Sequence, residues 1–398
     1  MRLHGHPFHV VQISRDAGLL RPSFDSEPVQ RQLDYARELK KRVPGALVSI
    51  IVLAPQSHAA GWTFDNLQVV PVYGPLRASV NCLRAIHVLH QTTPISVMTT
   101  QVPYEEGWLV LAAGRWYGVP VIGQIHSDLF VEHPAARVLA RRTVAKTAGH
   151  VGRAVRGWAA RRTLAAFDAV RTVSSESRTS ISRFAATVPL TIIPVPVAMV
   201  SSHKRIAPSR EKQPLVIFVG RLAPEKDLST WLKVARAVSQ LHPETRFQVI
   251  GDGPERARLE HEAAALGLRD VLSFEGFVPY ARLREVYARA STLLLTSRSE
   301  GFGRVLVEAA SQGTPSVSTS LSGPRDVVIN GVTGYLHEPG DVDGLTRSVS
   351  TLLSQPQRAA MMGARARELV SVKFDPAKLR AAWVNLWIDT ARAGQRAS

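Results

Sequence analysis

The sequence predicts an α/β protein made of two parallel-sheet domains. Two observations carry this expectation. β-type and helical segments alternate along both halves of the chain, and a polar, basic stretch rich in helix breakers, Ser201 to Gln213, lies between the halves. The 398 residues are too many for one typical domain and suit two. The expected domains are 1–200 and 214–375, with 201–213 as linker and 376–398 as a C-terminal helix packing back on the first domain.

In the first half, Phe8 to Ile13 reads as a buried strand, followed by a loop, Ser14 to Ser26, that offers only Gly18. Glu27 to Lys40 is a helix with Val29, Leu33, Ala36 and Leu39 on one face. Leu47 to Leu53 and Leu67 to Val70 are strands, Leu76 to His90 a helix, Ile95 to Met98 a strand and Glu105 to Tyr117 a helix. The strand Val119 to Ile125 delivers His126, Ser127 and Asp128 to its C-terminal end, where ligands of parallel sheets bind. Ala169 to Val173, Glu176 to Phe184 and Leu190 to Pro194 complete the alternation as strand, helix and strand.

Pro134 to Phe167 contains eight basic residues and no acidic one, with Val144, Ala148, Val151, Val155 and Trp158 at helical spacing. Two readings stand open: a basic amphipathic face on anionic lipid, or a helix packed on the sheet with solvated arginines.

The second half starts with the strand Leu215 to Gly220, with Arg221 and Lys226 in the loop after it and a helix carrying Leu228, Trp231, Leu232, Ala235 and Val238. Phe247 to Ile250 ends at Gly251-Asp252-Gly253-Pro254, and Val271 to Phe274 leads into Glu275-Gly276-Phe277-Val278. The strand Thr292 to Leu295 runs into Ser299-Glu300-Gly301-Phe302-Gly303 and then a helical pattern with Val305, Leu306 and Ala309 on one face. A strand, glycine turn and helix aim the first-turn N–H groups beyond the strand end, which suits a phosphate. Glu300 and Glu308 bracket that turn, as a nucleotide-sugar site requires if carboxylates are to hold sugar hydroxyls; the alternative is a capped helix with an ordinary surface glutamate. Pro315 to Ser318 and Gly334 to Leu336 are further strands, and helices at Val342 to Leu353, Gln357 to Val370 and Ala377 to Ala391 close the chain.

Four pieces in order make the chain resemble the GT-B glycosyltransferases of the retaining family 4, also called glycosyl transferases group 1. They are Gly220-Arg221-Leu222-Ala223-Pro224-Glu225-Lys226, then Gly251-Asp252-Gly253-Pro254, then Glu300 and Glu308 with seven residues between, then Asn330-Gly331-Val332-Thr333-Gly334-Tyr335-Leu336. The resemblance is specific over Pro214 to about Leu353 and looser before that. It implies two Rossmann-like domains facing a central cleft and a nucleotide diphosphate sugar as donor. It further implies that Arg221 and Lys226 act on the diphosphate, Glu308 on the ribose, and Glu300 with the amides of Gly301, Phe302 and Gly303 on the donor sugar. Leu306 would add an N–H to the phosphate, Val278 would hold the base by main-chain contacts, and His126 would lie near the anomeric carbon. Two family features are missing: a Gly-Gly pair after the first strand, and Asn-Gly-Val-Asp after the last strand of the first domain, where Pro194-Val195-Pro196-Val197-Ala198 stands.

No cofactor or metal is expected. Asp341-Val342-Asp343 has the Asp-x-Asp form of metal-dependent transferases, but it opens a helix, and Asp341 reads as the N-cap. The expected reaction is hexose transfer with retention by a front-face route. Its acceptor is a lipid-linked or membrane-associated glycan precursor in cell-surface polysaccharide or glycolipid synthesis. A sugar-nucleotide 2-epimerase and a non-catalytic sugar-binding relative are the other readings. The formal charge of +17 predicts attraction to polyanions, yet no nucleic-acid motif is present, so nucleotide phosphates and anionic lipid are the expected partners. The single Cys82, a polar His-rich start and no apolar run near the ~20 residues of a bilayer span lead to an expected cytoplasmic location, peripheral on the inner membrane face.

Overall fold

The structure is a computed structural model that describes residues 6–21, 26–54, 59–74, 78–101, 105–126, 159–197 and 213–397. Ser127, Asp128, residues 134–158 of the basic segment and 201–212 of the expected linker lie outside the described residues. The described chain forms two compact units: 6–126, 159–196 and 377–397 make the first, and 197 with 213–376 the second.

The first unit is built on an eight-stranded sheet in the order β3-β4-β2-β1-β5-β6-β7-β8. Its strands are β1 (His9–Ser14), β2 (Leu47–Leu53), β3 (Trp62–Phe64), β4 (Leu67–Val72), β5 (Val97–Thr100), β6 (Val121–Ile125), β7 (Ala169–Thr172) and β8 (Leu190–Ile192). All neighbours are parallel except β3 and β4. β1 is buried at every position, the pattern of a strand covered on both faces. The short β3 departs from the sequence reading. It hairpins onto β4 through Asp65-Asn66, where Asp65 adopts φ 53° and Asn66 Nδ2 donates to the carbonyls of Ala36 and Ala46. An Asx pair that tolerates the left-handed region is the local signal for that turn.

The C-terminal helix Pro376–Ala397 packs within this first unit. Trp383 and Trp387 are fully buried, Trp387 meets Tyr35 edge-on at 6.0 Å, and Arg42 bonds Asn385. Arg171 on β7 is buried with no carboxylate partner among the described residues. Its guanidinium donates to the carbonyls of Ile193 (2.8 Å) and Pro194 (3.1 Å) and to Gln124 Oε1 (3.3 Å), and lies 4.6 Å from the Trp383 ring centroid. Carbonyl dipoles and an aromatic face thus replace the counter-ion that a buried cation otherwise needs.

The second unit carries a six-stranded, wholly parallel sheet in the order β11-β10-β9-β12-β13-β14. Its strands are β9 (Leu215–Val219), β10 (Arg246–Ile250), β11 (Leu272–Gly276), β12 (Thr292–Leu295), β13 (Ser316–Thr319) and β14 (Gly334–His337). The strand order reverses between β9 and β12. At such a point the loops of neighbouring strands diverge to opposite faces and leave a crevice at the carboxyl edge.

Trp383 holds the C-terminal helix against Arg171, so Trp383→Ala is expected to destabilise the first unit by about 3–5 kcal/mol, the range for a buried aromatic. Guanidinium unfolding followed by tryptophan fluorescence checks this; a loss under about 1 kcal/mol would show that the ring does not carry the contact.

Candidate active site

In the second unit the carboxyl edge is assembled first by backbone. The pairing of β9 with β10 continues past both strands: Gly220 N–H donates to Ile250 O and Leu222 N–H to Asp252 O, each at 2.9 Å. Gly251 N–H donates to Gly276 O at 2.8 Å and so brings in the end of β11. A Cβ on Gly251 would collide with the Gly220 carbonyl, and one on Gly253 with the Leu222 carbonyl. The Gly-Asp-Gly-Pro piece therefore serves close backbone approach, and it seats the loop that carries Arg221 and Lys226.

That loop is tied to its neighbour across the reversal. After the turn Pro224–Lys226, Asp227 takes a left-handed conformation, φ 46°. Its carboxylate accepts from Thr230 Oγ1 (2.9 Å) and Arg298 Nε (2.7 Å), and its carbonyl accepts from Thr296 Oγ1 (3.0 Å). Arg298 N–H donates to Glu225 O at 2.8 Å. Thr296 and Arg298 belong to the loop after β12, so the two loops are laced together where the sheet opens. Lys226 Nζ then donates to Glu300 Oε2 at 2.6 Å, both side chains largely enclosed. Arg221 is the more exposed cation and donates to Glu225 Oε1 at 2.9 Å.

The turn at Gly301 to Gly303 opens the helix Arg304–Ser311. Gly303 has φ 80°, and its N–H donates to Glu300 Oε1 at 3.2 Å. The Leu306 N–H donates to Gly303 O at 2.9 Å, so this amide and that of Gly303 are engaged within the turn, unlike the phosphate and sugar contacts expected for them. Phe302 is buried, its ring edge-on to Phe374 at 5.4 Å. A Cβ on Gly323 would lie 2.5 Å from Phe302 Cα, so glycine is needed for the start of the helix Ser322–Val327 to approach. One turn further, Glu308 is buried and accepts from the Tyr287 hydroxyl at 2.7 Å, with Arg304 at 3.7 Å. Burial, then the Glu308 charge, push the Tyr287 hydroxyl well above its ordinary range, so it stays a donor. Val278 follows the end of β11 at Gly276 (φ 68°) and is half-buried beside the exposed Phe277.

Two site-supporting pairs escaped the sequence reading: Asp227 with Arg298, and Tyr287 with Glu308. Neither has a local signature, because each joins residues far apart in the chain. Asp341 caps the helix Val342–Ser354, accepting from Gly344 N–H at 2.8 Å.

His126 belongs to the first unit, directly after β6. Its Nε2 is enclosed with no hydrogen-bond partner among the described residues. Burial, then the charges of Arg171 and Arg31, push its pKa down to about 3, so the imidazole is neutral at physiological pH.

Residues 200–369 match the family described as glycosyl transferases group 1. That match covers most of the second unit. The 2-deoxystreptamine glucosyltransferase of Streptomyces kanamyceticus is 32% identical over 264 residues, 63% of this chain and 66% of the relative. The 2-deoxystreptamine N-acetyl-D-glucosaminyltransferase of Niallia circulans is 34% identical over 172 residues, 43% of this chain and 44% of the relative. The matched stretch therefore spans less than two thirds of either relative. Among solved structures, sucrose-phosphate synthase from Thermosynechococcus elongatus superposes with a TM-score of 0.78 at 19% identity, covering 97% of this chain and 100% of that one. Anabaena HepE, solved with UDP-glucose, gives 0.71 at 18% identity and covers 96% of this chain and 99% of that one. These likenesses show the fold, the two parallel-sheet α/β domains of the GT-B class.

Because the folded pKa of His126 lies below its ordinary value of 6.5, its neutral form contributes stability that is complete above about pH 6.5 and is lost as pH falls toward about 3. Imidazole NMR shifts should accordingly show no titration of His126 between neutral pH and pH 5. A midpoint near 6.5 would contradict the enclosed setting.

Proposed function

We propose that this protein is a retaining, metal-independent hexosyltransferase of family 4 that uses a nucleotide diphosphate sugar. The observation that carries the reading is the Lys226–Glu300 pair at the reversal of the sheet, with the clamped Glu308 on the following helix. Lys226, with three donors of which Glu300 takes one, reaches the donor diphosphate, and the flexible Arg221 swings from Glu225 to join it. The Val305 N–H in the helix's first turn completes the phosphate site, and Glu308 accepts from the ribose hydroxyls. Glu300 orients the hexose and Val278 meets the base.

In the reaction the acceptor oxygen forms a bond to the anomeric carbon on the face from which the phosphate leaves. The bond from that carbon to the phosphate oxygen breaks with its electron pair on the oxygen, and the acceptor proton passes to a phosphate oxygen. Lys226 and Arg221 stabilise the charge that grows on the leaving diphosphate. Those two cations and the helix N-terminus supply the neutralisation a divalent ion otherwise provides.

We take the acceptor to be a membrane-associated or lipid-linked glycan precursor. The support is the chain's charge of +17 and a 31% identical match over 162 residues to a GDP-mannose-dependent phosphatidylinositol monomannoside mannosyltransferase of Mycolicibacterium smegmatis. A second reading, a small soluble aminocyclitol, is favoured by the two relatives named for 2-deoxystreptamine.

Lys226→Ala and Arg221→Ala are each expected to lower kcat by about 10²–10³, as for loss of a preorganised charge stabiliser; near-normal turnover in both would remove the assignment. Excess EDTA should leave the rate unchanged, and the product's anomeric configuration, read by proton NMR, should match the donor's. Loss in EDTA restored by Mg²⁺, or an inverted product, would refute the corresponding part.

A further inference from the structure

In the helix Tyr280–Arg289, Tyr287 alone is buried. The helix thus anchors itself with a phenol and not with an aliphatic group. A phenylalanine would fill nearly the same volume with no polar atom to satisfy. The extra hydroxyl meets Glu308 Oε2 at 2.7 Å, on the helix Arg304–Ser311, and Glu308 is itself only 8% exposed. Two packed helices need no such pair. Apolar side chains of the same shape hold them as well or better, because a buried carboxylate is costly to desolvate. The hydroxyl therefore answers a need of the carboxylate and not of the packing.

Tyr287 is fixed from both ends. Its carbonyl accepts from Thr314 Oγ1 at 2.5 Å. Thr314 N–H donates to Ala309 O at 3.0 Å, just beyond the helix that carries Glu308. One short stretch, 308–314, thus holds the tyrosine backbone and also presents the carboxylate that its phenol meets. Arg304, one turn earlier, lies 3.7 Å from Glu308 Oε1.

The direction of the hydrogen bond is fixed as well. Burial, then the Glu308 charge, keep the phenol protonated far above neutral pH, so it only donates and Glu308 only accepts. A carboxylate oxygen takes more than one hydrogen bond, and one held as an acceptor suits a ligand that donates. A vicinal diol donates twice; a dideoxy sugar has no donor to offer there.

We propose that Tyr287 is a positioning residue for the nucleotide. It holds the Glu308 carboxylate as acceptor for the ribose hydroxyls, and so sets a preference for ribo- over dideoxyribonucleoside diphosphates. It rests on Glu308 being the ribose ligand, as proposed above. The test is calorimetric titration of uridine, guanosine and adenosine diphosphates, each beside its 2′,3′-dideoxy form, into wild type and Tyr287→Phe. The wild type should favour the ribo form of the diphosphate it binds about tenfold or more. Tyr287→Phe should weaken the ribo form about fivefold to tenfold and leave the dideoxy form within about twofold. A purely structural role would weaken both forms alike, and that result overturns the proposal. So does a variant that keeps the full wild-type preference. If Tyr287→Phe does not fold, Thr314→Val, which frees the tyrosine carbonyl, is judged by the same comparison. Equal binding of ribo and dideoxy forms by the wild type would instead remove Glu308 from the ribose, and this proposal with it.

Discussion

The second unit depends on the reversal of strand order between β9 and β12. A parallel sheet whose connections wind in one direction covers its own carboxyl edge; one that reverses leaves two loops diverging and a crevice between them. Here the loop after β9 supplies Lys226 and the loop after β12 supplies Glu300, and they meet at 2.6 Å. A cation and an anion brought to one point from opposite sides of the crevice are held in register for a ligand that needs both. The left-handed Asp227 maintains this alignment. Backbone strain of that kind persists where surrounding contacts over-determine it, and Asp227 has Thr230, Arg298 and Thr296 as such contacts.

Glycines set how near the main chains come. Gly251 lies against Gly220, Gly253 against Leu222 and Gly323 against Phe302 at distances where a Cβ does not fit. These contacts bring the loops after β9, β10 and β12 and the helix Ser322–Val327 to the carboxyl edge without using side chains. The charged side chains pair instead: Arg221 with Glu225, Lys226 with Glu300 and Glu308 with Tyr287. The division explains why the Gly-Asp-Gly-Pro piece accompanies the charged ones although it contributes no cation.

Much of this was legible in the sequence because it was written locally. β-type runs ending in glycine announced β9 and β10, an apolar run ahead of a polar loop announced β12, and the spacing of Glu300 and Glu308 announced one carboxylate before the turn and one on the helix after it. What escaped was written in long-range contacts. The Asp227–Arg298 and Tyr287–Glu308 pairs join distant segments, and the Arg171–Trp383 contact ties β7 to the last helix. A lone arginine inside an apolar strand, Ala169-Val170-Arg171-Thr172-Val173, was the available hint of a buried cation. The β3 hairpin was missed because three residues give no period to read, although Asp65-Asn66 marks its turn. The amides of Gly303 and Leu306 differ from expectation for a geometric reason: the helix begins with a tight turn that uses them itself.

The proposed function places a nucleoside diphosphate at the β9/β12 crevice, with Lys226 on the phosphates and Glu308 on the ribose. Calorimetric titration of uridine, guanosine and adenosine diphosphates into the wild-type protein, Lys226→Met and Glu308→Gln tests it directly. The expected result is that one diphosphate binds the wild type and binds each variant about tenfold or more weakly, the loss of one charge-assisted contact. Removing the diphosphate's terminal phosphate should erase the Lys226 effect and leave that of Glu308. Wild-type affinity in both variants would contradict the claim.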